Sequence, residues 1–291
     1  MKYQYFFCFN EDYKYHALAA ISSLVEKIAV IQNTKINILS ADVTISTQKE
    51  IQKICGKIAV VFLHFRYSLP GDLKYVHHFN EANYYRLFID EIVERGRCLY
   101  LDSDVIVNEP LEELFDLDLD GNAVAAVEDA TFTDHDKLGL TTGARYFNSG
   151  VMLIDVIKWK EMAIREKVFY AINSNYSRIQ FVDQCGLNLV LNGNWKPLDN
   201  TFNFQTGHCS DKHPYDKSNL PAIIHYTTGQ KPSHFSSKHP FKKVYWKYRN
   251  RTSGRRLIGE GLTFQSVKRR LKSLYFREKE RWENEITKNQ D

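Results

Sequence analysis

Two carboxylates follow an apolar run near the middle of the sequence. The segment YLDSDVIV (100–107) places Asp102 and Asp104 one residue apart, directly after CLYL. Residues i and i+2 of an extended segment point the same way, so both carboxylates can bind one hard or borderline divalent cation. The alternative is a solvated loop, because short motifs of this kind often occur by chance. The apolar run before the acids adds support for the metal site, because surface loops rarely follow so apolar a run, and both alternatives stay open on this segment alone.

A histidine and two cations can complete such a site. His225 ends the apolar run of AIIHYTTGQKP and offers a nitrogen ligand beside two carboxylates, a mixture that manganese accepts. Lys231 follows a glycine-containing turn, where its ammonium can meet phosphate oxygens, and Arg86 is a second candidate cation. Taken alone, His225 also fits an ordinary half-buried histidine. Together the residues describe a site for a metal-bound diphosphate, and the absence of GxGxxG and GxxxxGK[ST] excludes the common phosphate-binding loops.

Alternating strands and helices must position these residues. Apolar periodicity predicts strands in YQYFFCF, INILSAD and AVVFLHF, and helices over 16–28, 47–54 and 80–93. This alternation predicts βαβ units and a mainly parallel sheet, in which ligands gather at the carboxyl ends of the strands. A further strand, AVAAVED, ends in Glu128 and Asp129. The second half is less regular, with a helical run over 159–174 and strand-like pieces that end in polar residues.

Composition predicts a globular protein of a reducing compartment. The chain has 291 residues, 43% of them hydrophobic, so it can bury a full core. Its five cysteines are odd in number and form no CxxC pair, which argues against a disulfide framework and a zinc site. No stretch approaches the roughly 18 apolar residues of a spanning helix, and the N-terminus lacks the features of a signal peptide. We expect a cytoplasmic protein that does not itself cross a membrane.

The net charge of +4 is distributed unevenly along the chain. Residues 242–291 hold 15 Lys and Arg against 6 Asp and Glu, so the remainder is mildly acidic. This shift predicts a domain over 1–240 and a basic tail over 241–291. From Thr263 onward, apolar residues recur at helical spacing with cations on the other face: Phe264, Val267, Leu271 and Leu274.

Such a tail can lie on an anionic membrane surface, which would place the protein at the inner face of the cell membrane. The alternative is a helix packed on the body with solvated charges. No recognised nucleic-acid-binding module accompanies the tail, so we expect no nucleic-acid partner.

Five sequence blocks occur in an order and spacing that resemble family 8 of the glycosyltransferases. They are CLYLDSDVIV, YFNSGVMLID, DQCGLNLVL, NTFNF and IIHYTTGQKPSH, and the resemblance runs from about Tyr3 to about His234. It is strongest to bacterial lipooligosaccharide and lipopolysaccharide galactosyl- and glucosyltransferases. It implies an α/β GT-A fold, a Rossmann-like mixed sheet flanked by helices. It also implies retaining transfer of a hexose from a UDP-sugar to a glycan acceptor, such as a lipid-linked surface glycan.

The same resemblance assigns roles to individual residues. It implies Mn²⁺, or Mg²⁺ in its place, bound by Asp102, Asp104 and His225. Asp183 and Gln184 match positions that line the donor sugar, Asp129 matches a position near it, and these three are the candidate catalytic residues. Tyr13 is expected to stack on uracil, and Lys231 to lie over the diphosphate. The complete set of donor-binding residues implied is Asn10, Asp12, Tyr13, Arg86, Asp102, Ser103, Asn148 and Lys231.

Two positions depart from the family pattern. Asn10 stands where the family commonly has Asp, and its amide can donate as well as accept a hydrogen bond to uracil. Ser233 replaces the tryptophan of the family's KPW, which changes the expected walls of the acceptor pocket and leaves the metal site unaffected.

The chemistry of transfer has more than one possible route. Retention can use a carboxylate nucleophile, with Asp183 and Asp129 as candidates, or a same-face transfer in which the leaving phosphate takes the acceptor proton. We favour the same-face route because Gln184 is a poor nucleophile. Galactose is favoured over glucose as the donor sugar. Other classes that use paired aspartates are a metal phosphohydrolase, which would need a second metal site, and a metal-dependent sugar-binding module.

Overall fold

A computed structural model describes residues 1–70, 81–208, 220–229, 231–235 and 237–252. The chain divides into two compact units, Met1–Thr227 and Thr228–Asp291. The predicted basic helix beyond Thr263 lies outside the described residues, and the domain limits 1–240 and 241–291 remain a prediction.

The first unit begins with the predicted alternation of strands and helices. Its apolar runs become β1 (Tyr3–Cys8), α1 (Lys14–Lys27), β2 (Thr34–Ser40), α2 (Ile45–Cys55) and β3 (Ala59–His64). Each lies within about two residues of its predicted position. α2 starts where Thr44 accepts a hydrogen bond from the Thr47 amide at 3.3 Å, as an N-cap does.

The helix predicted over 80–93 differs from a regular α-helix. It is a 3-10 helix over Glu81–Phe88, followed by the single turn α3 (Ile89–Ile92). Five consecutive side chains, 84–88, are buried, including the charged Arg86. The predicted segment is therefore helical, but its first part has the tighter 3-10 winding.

The remaining elements complete the first unit and supply one helix of the second. In chain order they are β4 (Arg97–Leu101), β5 (Val105–Val107), a 3-10 helix (Glu112–Asp116), β6 (Val124–Glu128), α4 (His135–Leu138), β7 (Phe147–Asp155), α5 (Val156–Glu161), α6 (Ile164–Ser174), α7 (Val182–Leu191), β8 (Lys196–Pro197), a 3-10 helix (Asn200–Asn203), β9 (Phe204–Gln205), a 3-10 helix (Thr206–His208), β10 (Ile223–His225) and α8 (Lys242–Arg249).

The helical run predicted over 159–174 is two helices rather than one. Ala163 adopts a left-handed backbone with φ of 49° and interrupts the run between α5 and α6. The Asp155 carboxylate caps α5 by accepting hydrogen bonds from the amides of Ile157 and Lys158. The left-handed residue therefore ends one helix and precedes the next.

Among the described residues, seven strands form the main sheet of the first unit, in the order β3-β2-β1-β4-β7-β6-β8. β3, β2, β1 and β4 are parallel, whereas β7 is antiparallel to both β4 and β6. The sheet is therefore mixed. β5, β10 and β9 form a second, three-stranded sheet.

Both faces of the main sheet are buried, which explains why its strands are almost continuously apolar. Along β1, Tyr5 and Phe7 pack in one hydrophobic cluster, while Phe6 and Cys8 pack in the other. β4 divides in the same way, with Leu99 and Leu101 against Cys98 and Tyr100. The alternation of side chains along a strand thus supplies two cores at once.

Two sequence-level expectations concern cysteines and membrane spans. Cys8, Cys55, Cys98 and Cys185 are buried and free, as predicted, and Cys209 lies outside the described residues. Within the described part of the chain, no helix has the length and apolar character needed to span a bilayer.

In the second unit, α8 supports the loop that carries Lys231. The Lys242 ammonium donates to the main-chain carbonyls of His234, Phe235 and Ser237 at 3.0–3.3 Å. The Trp246 indole donates to the Pro232 carbonyl at 3.1 Å. This first helix of the predicted basic tail is therefore part of the packed second unit.

Candidate active site

The carboxyl ends of β1 and β4 place the N-terminal turn and the paired aspartates at one edge of the sheet. The two strands are parallel neighbours, with Tyr5 opposite Leu99 and Phe6 opposite Tyr100. Asp102 follows β4, and its amide donates to the Gly150 carbonyl at 2.7 Å. Ser103 and Asp104 form a turn into β5 rather than the extended segment that the sequence predicts.

The second sheet brings His225 to these aspartates. β10 is antiparallel to β5, with His225 opposite Val105, and the Tyr226 amide donates to the Asp104 carbonyl at 3.0 Å. His225 Nε2 lies 3.2 Å from Asp104 Oδ1 and 3.6 Å from Asp102 Oδ2. One ligand atom from each of the three residues lies within 4.8 Å of the others, as the sequence predicts.

The chemistry of this cluster fits a divalent cation. Asp102 Oδ1 forms an ion pair with Arg86 Nη2 at 3.0 Å and accepts a hydrogen bond from the Tyr100 hydroxyl at 2.6 Å. Its second oxygen is the one that faces His225. Two carboxylate oxygens and an imidazole nitrogen this close together can all bind one cation. An O,O,N donor set suits Mn²⁺ and also accepts Mg²⁺ less strongly.

Gly150 leaves space for two of the candidate ligands. A Cβ at this position would lie 2.6 Å from Asp102 Oδ2 and would overlap the imidazole of His225. The β6–β7 register jumps here, from Ala126 opposite Met152 to Val127 opposite Asn148. This bulge directs residues 148–150 toward the candidate metal site, and only glycine fits at 150 without displacing a ligand.

Arg86 links the metal cluster to Asp183. Its Nε lies 3.1 Å from Asp183 Oδ2, and its Nη1 donates to the Ser149 carbonyl at 2.9 Å. The guanidinium also lies over the Tyr100 ring, 4.5 Å from its centroid. Burial raises the pKa of Asp183 to about 6, although the charge of Arg86 opposes this rise. Asp183 therefore depends on Arg86 to remain ionised near neutral pH.

Gln184 and Asp129 form the other side of the network. The Ser149 amide donates to Gln184 Oε1 at 3.1 Å, which fixes the orientation of the side-chain amide. Gln184 Nε2 then donates to the Tyr146 hydroxyl at 3.2 Å and to Asp129 Oδ2 at 3.4 Å. Asp129 Oδ1 accepts from Thr131 Oγ1 at 2.6 Å. Both predicted catalytic carboxylates, Asp183 and Asp129, are thus engaged by neighbouring donors.

The turn after β1 is held by Glu11, a residue to which the sequence analysis gave no role. Asn10 caps a 3-10 helix over Glu11–Tyr13, leaving Asp12 exposed and the Tyr13 side chain 39% exposed. Glu11 Oε1 accepts hydrogen bonds from Lys14 and Thr47, each at 2.8 Å. Burial raises the pKa of Glu11, but these donors and the Thr44 amide lower it below its usual value. Glu11 therefore attaches the predicted uridine-binding turn to α2.

Comparison with known proteins identifies the family. The sequence model of glycosyl transferase family 8 matches residues 4–235. The chain belongs to glycosyl transferase family 8. A solved structure of the galactosyltransferase LgtC, in complex with donor and acceptor sugar analogs, superimposes with a TM-score of 0.69 over 86% of this chain and 96% of LgtC, at 23% identity. The fold is accordingly the GT-A fold that the resemblance implies.

Two curated relatives are matched over different shares of their own length. Glycosyltransferase GlyF of Streptococcus pneumoniae is 36% identical over 177 residues, which cover 60% of this chain and 43% of GlyF. The chain thus spans less than half of that relative. General stress protein A of Bacillus subtilis is 29% identical over 265 residues, covering 84% of this chain and 92% of that protein.

The family 8 fold brings most of the predicted site residues into one network. Eight of them are linked by hydrogen bonds, ion pairs or close ligand contacts: Arg86, Asp102, Asp104, Asp129, Asn148, Asp183, Gln184 and His225. Ser103 is buried in the turn between the aspartates, and Asn10, Asp12 and Tyr13 lie on the turn after β1. Lys231 belongs to the second unit, and its contact with the diphosphate remains a prediction.

Several residues of this network carried no role in the sequence analysis. Tyr100, Tyr146, Ser149 and Asn203 all contact predicted site residues. Asn203 lies in the block NTFNF and Ser149 in the block YFNSG. The resemblance therefore pointed to these two segments, but it did not indicate which hydrogen bonds their residues form.

Proposed function

We propose that this family 8 glycosyltransferase transfers a hexose, with galactose favoured, from a UDP-hexose to a hydroxyl group of a glycan acceptor. The observation that carries the proposal is the convergence of Asp102, Asp104 and His225 within 4.8 Å. That cluster is suited to a cation that binds a diphosphate. The likeness to LgtC, whose structure contains donor and acceptor sugar analogs, supports galactose. A UDP-glucose donor is the alternative.

Different residues would bind different parts of the UDP-hexose donor. Asp102, Asp104 and His225 would hold Mn²⁺, which when bound neutralises charge on the leaving diphosphate. The turn over Asn10–Tyr13 would bind uridine, and the Tyr13 ring would stack on uracil. Arg86, Asn148, Asp183 and Gln184 would bind the sugar, and Lys231 of the second unit would donate to the diphosphate.

Transfer on the same face of the sugar agrees with the way the carboxylates are engaged. The bond from the anomeric carbon to the β-phosphate oxygen breaks, and the acceptor oxygen forms the new bond to that carbon. The acceptor proton passes to the leaving phosphate oxygen, and UDP departs. Asp183 is paired with Arg86 at 3.1 Å, which lowers its nucleophilicity and supports this route. A covalent sugar trapped on Asp183 or Asp129 would contradict it.

A donor screen tests the proposed function. Purified protein with Mn²⁺ is offered UDP-galactose, UDP-glucose and UDP-GlcNAc, and UDP release and thermal shift are measured with and without glycan acceptors. We expect UDP-galactose to give the largest shift, with slow UDP release that an acceptor accelerates. Rapid release without acceptor would indicate a hydrolase, and no release a binding module. Among the described residues, the one cluster of candidate metal ligands does not supply the second site that a phosphohydrolase would need.

We further propose that the acceptor is lipid-linked and that the basic tail binds an anionic membrane surface. The expected location is the inner face of the cell membrane. The residues that carry this proposal, 253–291, lie outside the described part of the chain. α8 contributes to the packing of the second unit, so a deletion that tests the tail should begin after Thr252.

Liposome flotation tests the membrane proposal. We expect the full chain to float with vesicles rich in phosphatidylglycerol and not with neutral ones, and a chain lacking 253–291 to remain below. A chain lacking only 283–291 retains most of the cations and should float. Equal flotation of all three chains would contradict the proposal.

A further inference from the structure

A hydrogen-bonded chain joins the candidate metal ligand His225 to Asn148. The Gly150 amide donates to Asn148 Oδ1 at 3.0 Å. The same oxygen accepts from Asn203 Nδ2 at 2.9 Å. Asn203 Oδ1 in turn lies 2.9 Å from His225 Nδ1. Asn203 is fully buried at the centre of this chain.

The direction of every hydrogen bond in this chain follows from its first donor. A main-chain N–H can only donate, so the atom of Asn148 that faces Gly150 must be its oxygen. The atom of Asn203 that faces this oxygen must then be its nitrogen, and its own oxygen must face His225. His225 Nδ1 must therefore carry a hydrogen. For a neutral imidazole, the lone pair is then on Nε2, which faces Asp102 and Asp104.

The backbone around Asn203 fixes its position. The residue ends the 3-10 helix Asn200–Asn203, which starts where Asp199 Oδ1 accepts from the Thr201 amide at 2.9 Å. Thr201 Oγ1 accepts from the Ala222 amide, also at 2.9 Å, and so attaches this turn to the segment that enters β10. The turn that carries Asn203 is thus fixed relative to the strand that carries His225.

We propose that Asn203 is a positioning residue that sets the metal-binding tautomer of His225 and the orientation of the Asn148 amide at the same time. The proposal rests on the proposed function, in which His225 binds the metal and Asn148 binds the donor sugar. With its oxygen occupied by two donors, Asn148 presents its Nδ2 to an acceptor. Among the described residues, no atom accepts a hydrogen bond from this Nδ2, so a sugar hydroxyl can do so.

The two roles can be separated by substitution. Asn203→Asp keeps an oxygen opposite His225 Nδ1 and so keeps the tautomer, but it places a second oxygen against Asn148 Oδ1. Asn203→Leu is similar in size and removes both hydrogen bonds. Asn200→Asp is the matched control, because Asn200 is exposed and lies in the same turn.

Mn²⁺ binding, measured by electron paramagnetic resonance without donor, reports the His225 role. We expect Asn203→Leu to weaken Mn²⁺ binding by about 10- to 100-fold and Asn203→Asp to leave it within about threefold of wild type. The rate of hexose transfer at subsaturating donor reports the Asn148 role. It should fall by about tenfold or more in both variants and remain unchanged in Asn200→Asp.

The outcomes distinguish failure of this inference from failure of the proposed function. If Asp104→Asn binds Mn²⁺ as tightly as wild type, the metal site itself is wrong. If Asp104→Asn loses Mn²⁺ while both Asn203 variants bind and transfer normally, the positioning role is wrong. Equal loss of Mn²⁺ in Asn203→Asp and Asn203→Leu would contradict the tautomer assignment. If Asn203→Leu does not fold, Asn203→Asp still tests both roles on folded protein, because loss of Mn²⁺ binding would contradict the His225 role and unchanged transfer would contradict the Asn148 role.

Discussion

Replacing Asp104 with Asn is expected to abolish hexosyl transfer and to leave the fold intact. The substitution keeps an oxygen near His225 Nε2, 3.2 Å away, but removes the negative charge that a cation requires. Loss of charge stabilisation at the leaving diphosphate costs several kcal/mol, which corresponds to a fall in rate of about 10³-fold or more. Transfer rate, Mn²⁺ affinity and the melting temperature measured on the same sample check this prediction.

A matched control separates the loss of a ligand from the loss of a carboxylate. Asp136 is exposed on α4, and Asp136→Asn makes the same chemical change away from the cluster. It should leave transfer, Mn²⁺ affinity and melting temperature unchanged. Near-normal turnover of Asp104→Asn in the presence of a chelator would show that the assigned ligands do not hold the catalytic metal.

Replacing Arg86 with Met is expected to destabilise the protein and to remove activity. The buried guanidinium compensates two carboxylates, Asp102 at 3.0 Å and Asp183 at 3.1 Å. Removing one partner of a buried ionic network leaves uncompensated charge, which costs about 3–5 kcal/mol of the free energy of unfolding. Urea denaturation without added metal measures this change. Arg86→Lys should recover only part of the loss, because an ammonium cannot replace the guanidinium contacts to both carboxylates and to Ser149.

The destabilisation of Arg86→Met should depend on pH. Burial already raises the folded-state pKa of Asp183 to about 6, and loss of Arg86 raises it further. A carboxyl group whose pKa is higher in the folded than in the unfolded state favours folding most when it is protonated. Its contribution to the free energy of unfolding therefore falls as the pH rises from the unfolded-state pKa to the folded-state pKa. The deficit relative to wild type should therefore be smaller at pH 5 than at pH 8.

Lys2→Met supplies the comparison for Arg86→Met. Lys2 pairs with Asp116 at 2.7 Å, but both side chains are exposed to solvent. Removing this pair should produce no measurable change in the urea midpoint at either pH. If Arg86→Met were as stable as wild type at pH 8, the two buried carboxylates would not depend on Arg86.

Parts of the fold were predictable because they depend on short-range pattern. In the runs that form β1, β2 and β3, the side chains on both faces of the strand are mostly apolar, and each run is followed by turn residues. The helices between them have one apolar face. The segment over Glu81–Phe88 was predicted as a helix but not as a 3-10 helix, because over so short a segment the spacing of apolar residues does not separate the two forms. The break at Ala163 was not predicted either, since alanine rarely adopts the left-handed backbone that it has here, with φ of 49°.

The sequence by itself determined the candidate ligands Asp102, Asp104 and His225, because carboxylate and imidazole groups at the ends of apolar runs are chemically distinctive. Only the tertiary structure decided how they are oriented. The pairing of Arg86 with Asp183, the close approach at Gly150 and the hydrogen bonds of Asn203 all join segments far apart in the chain. The type of a residue determines which hydrogen bonds its side chain can donate or accept. The partners become defined only when the β6–β7 bulge and the pairing of β5 with β10 bring those segments together.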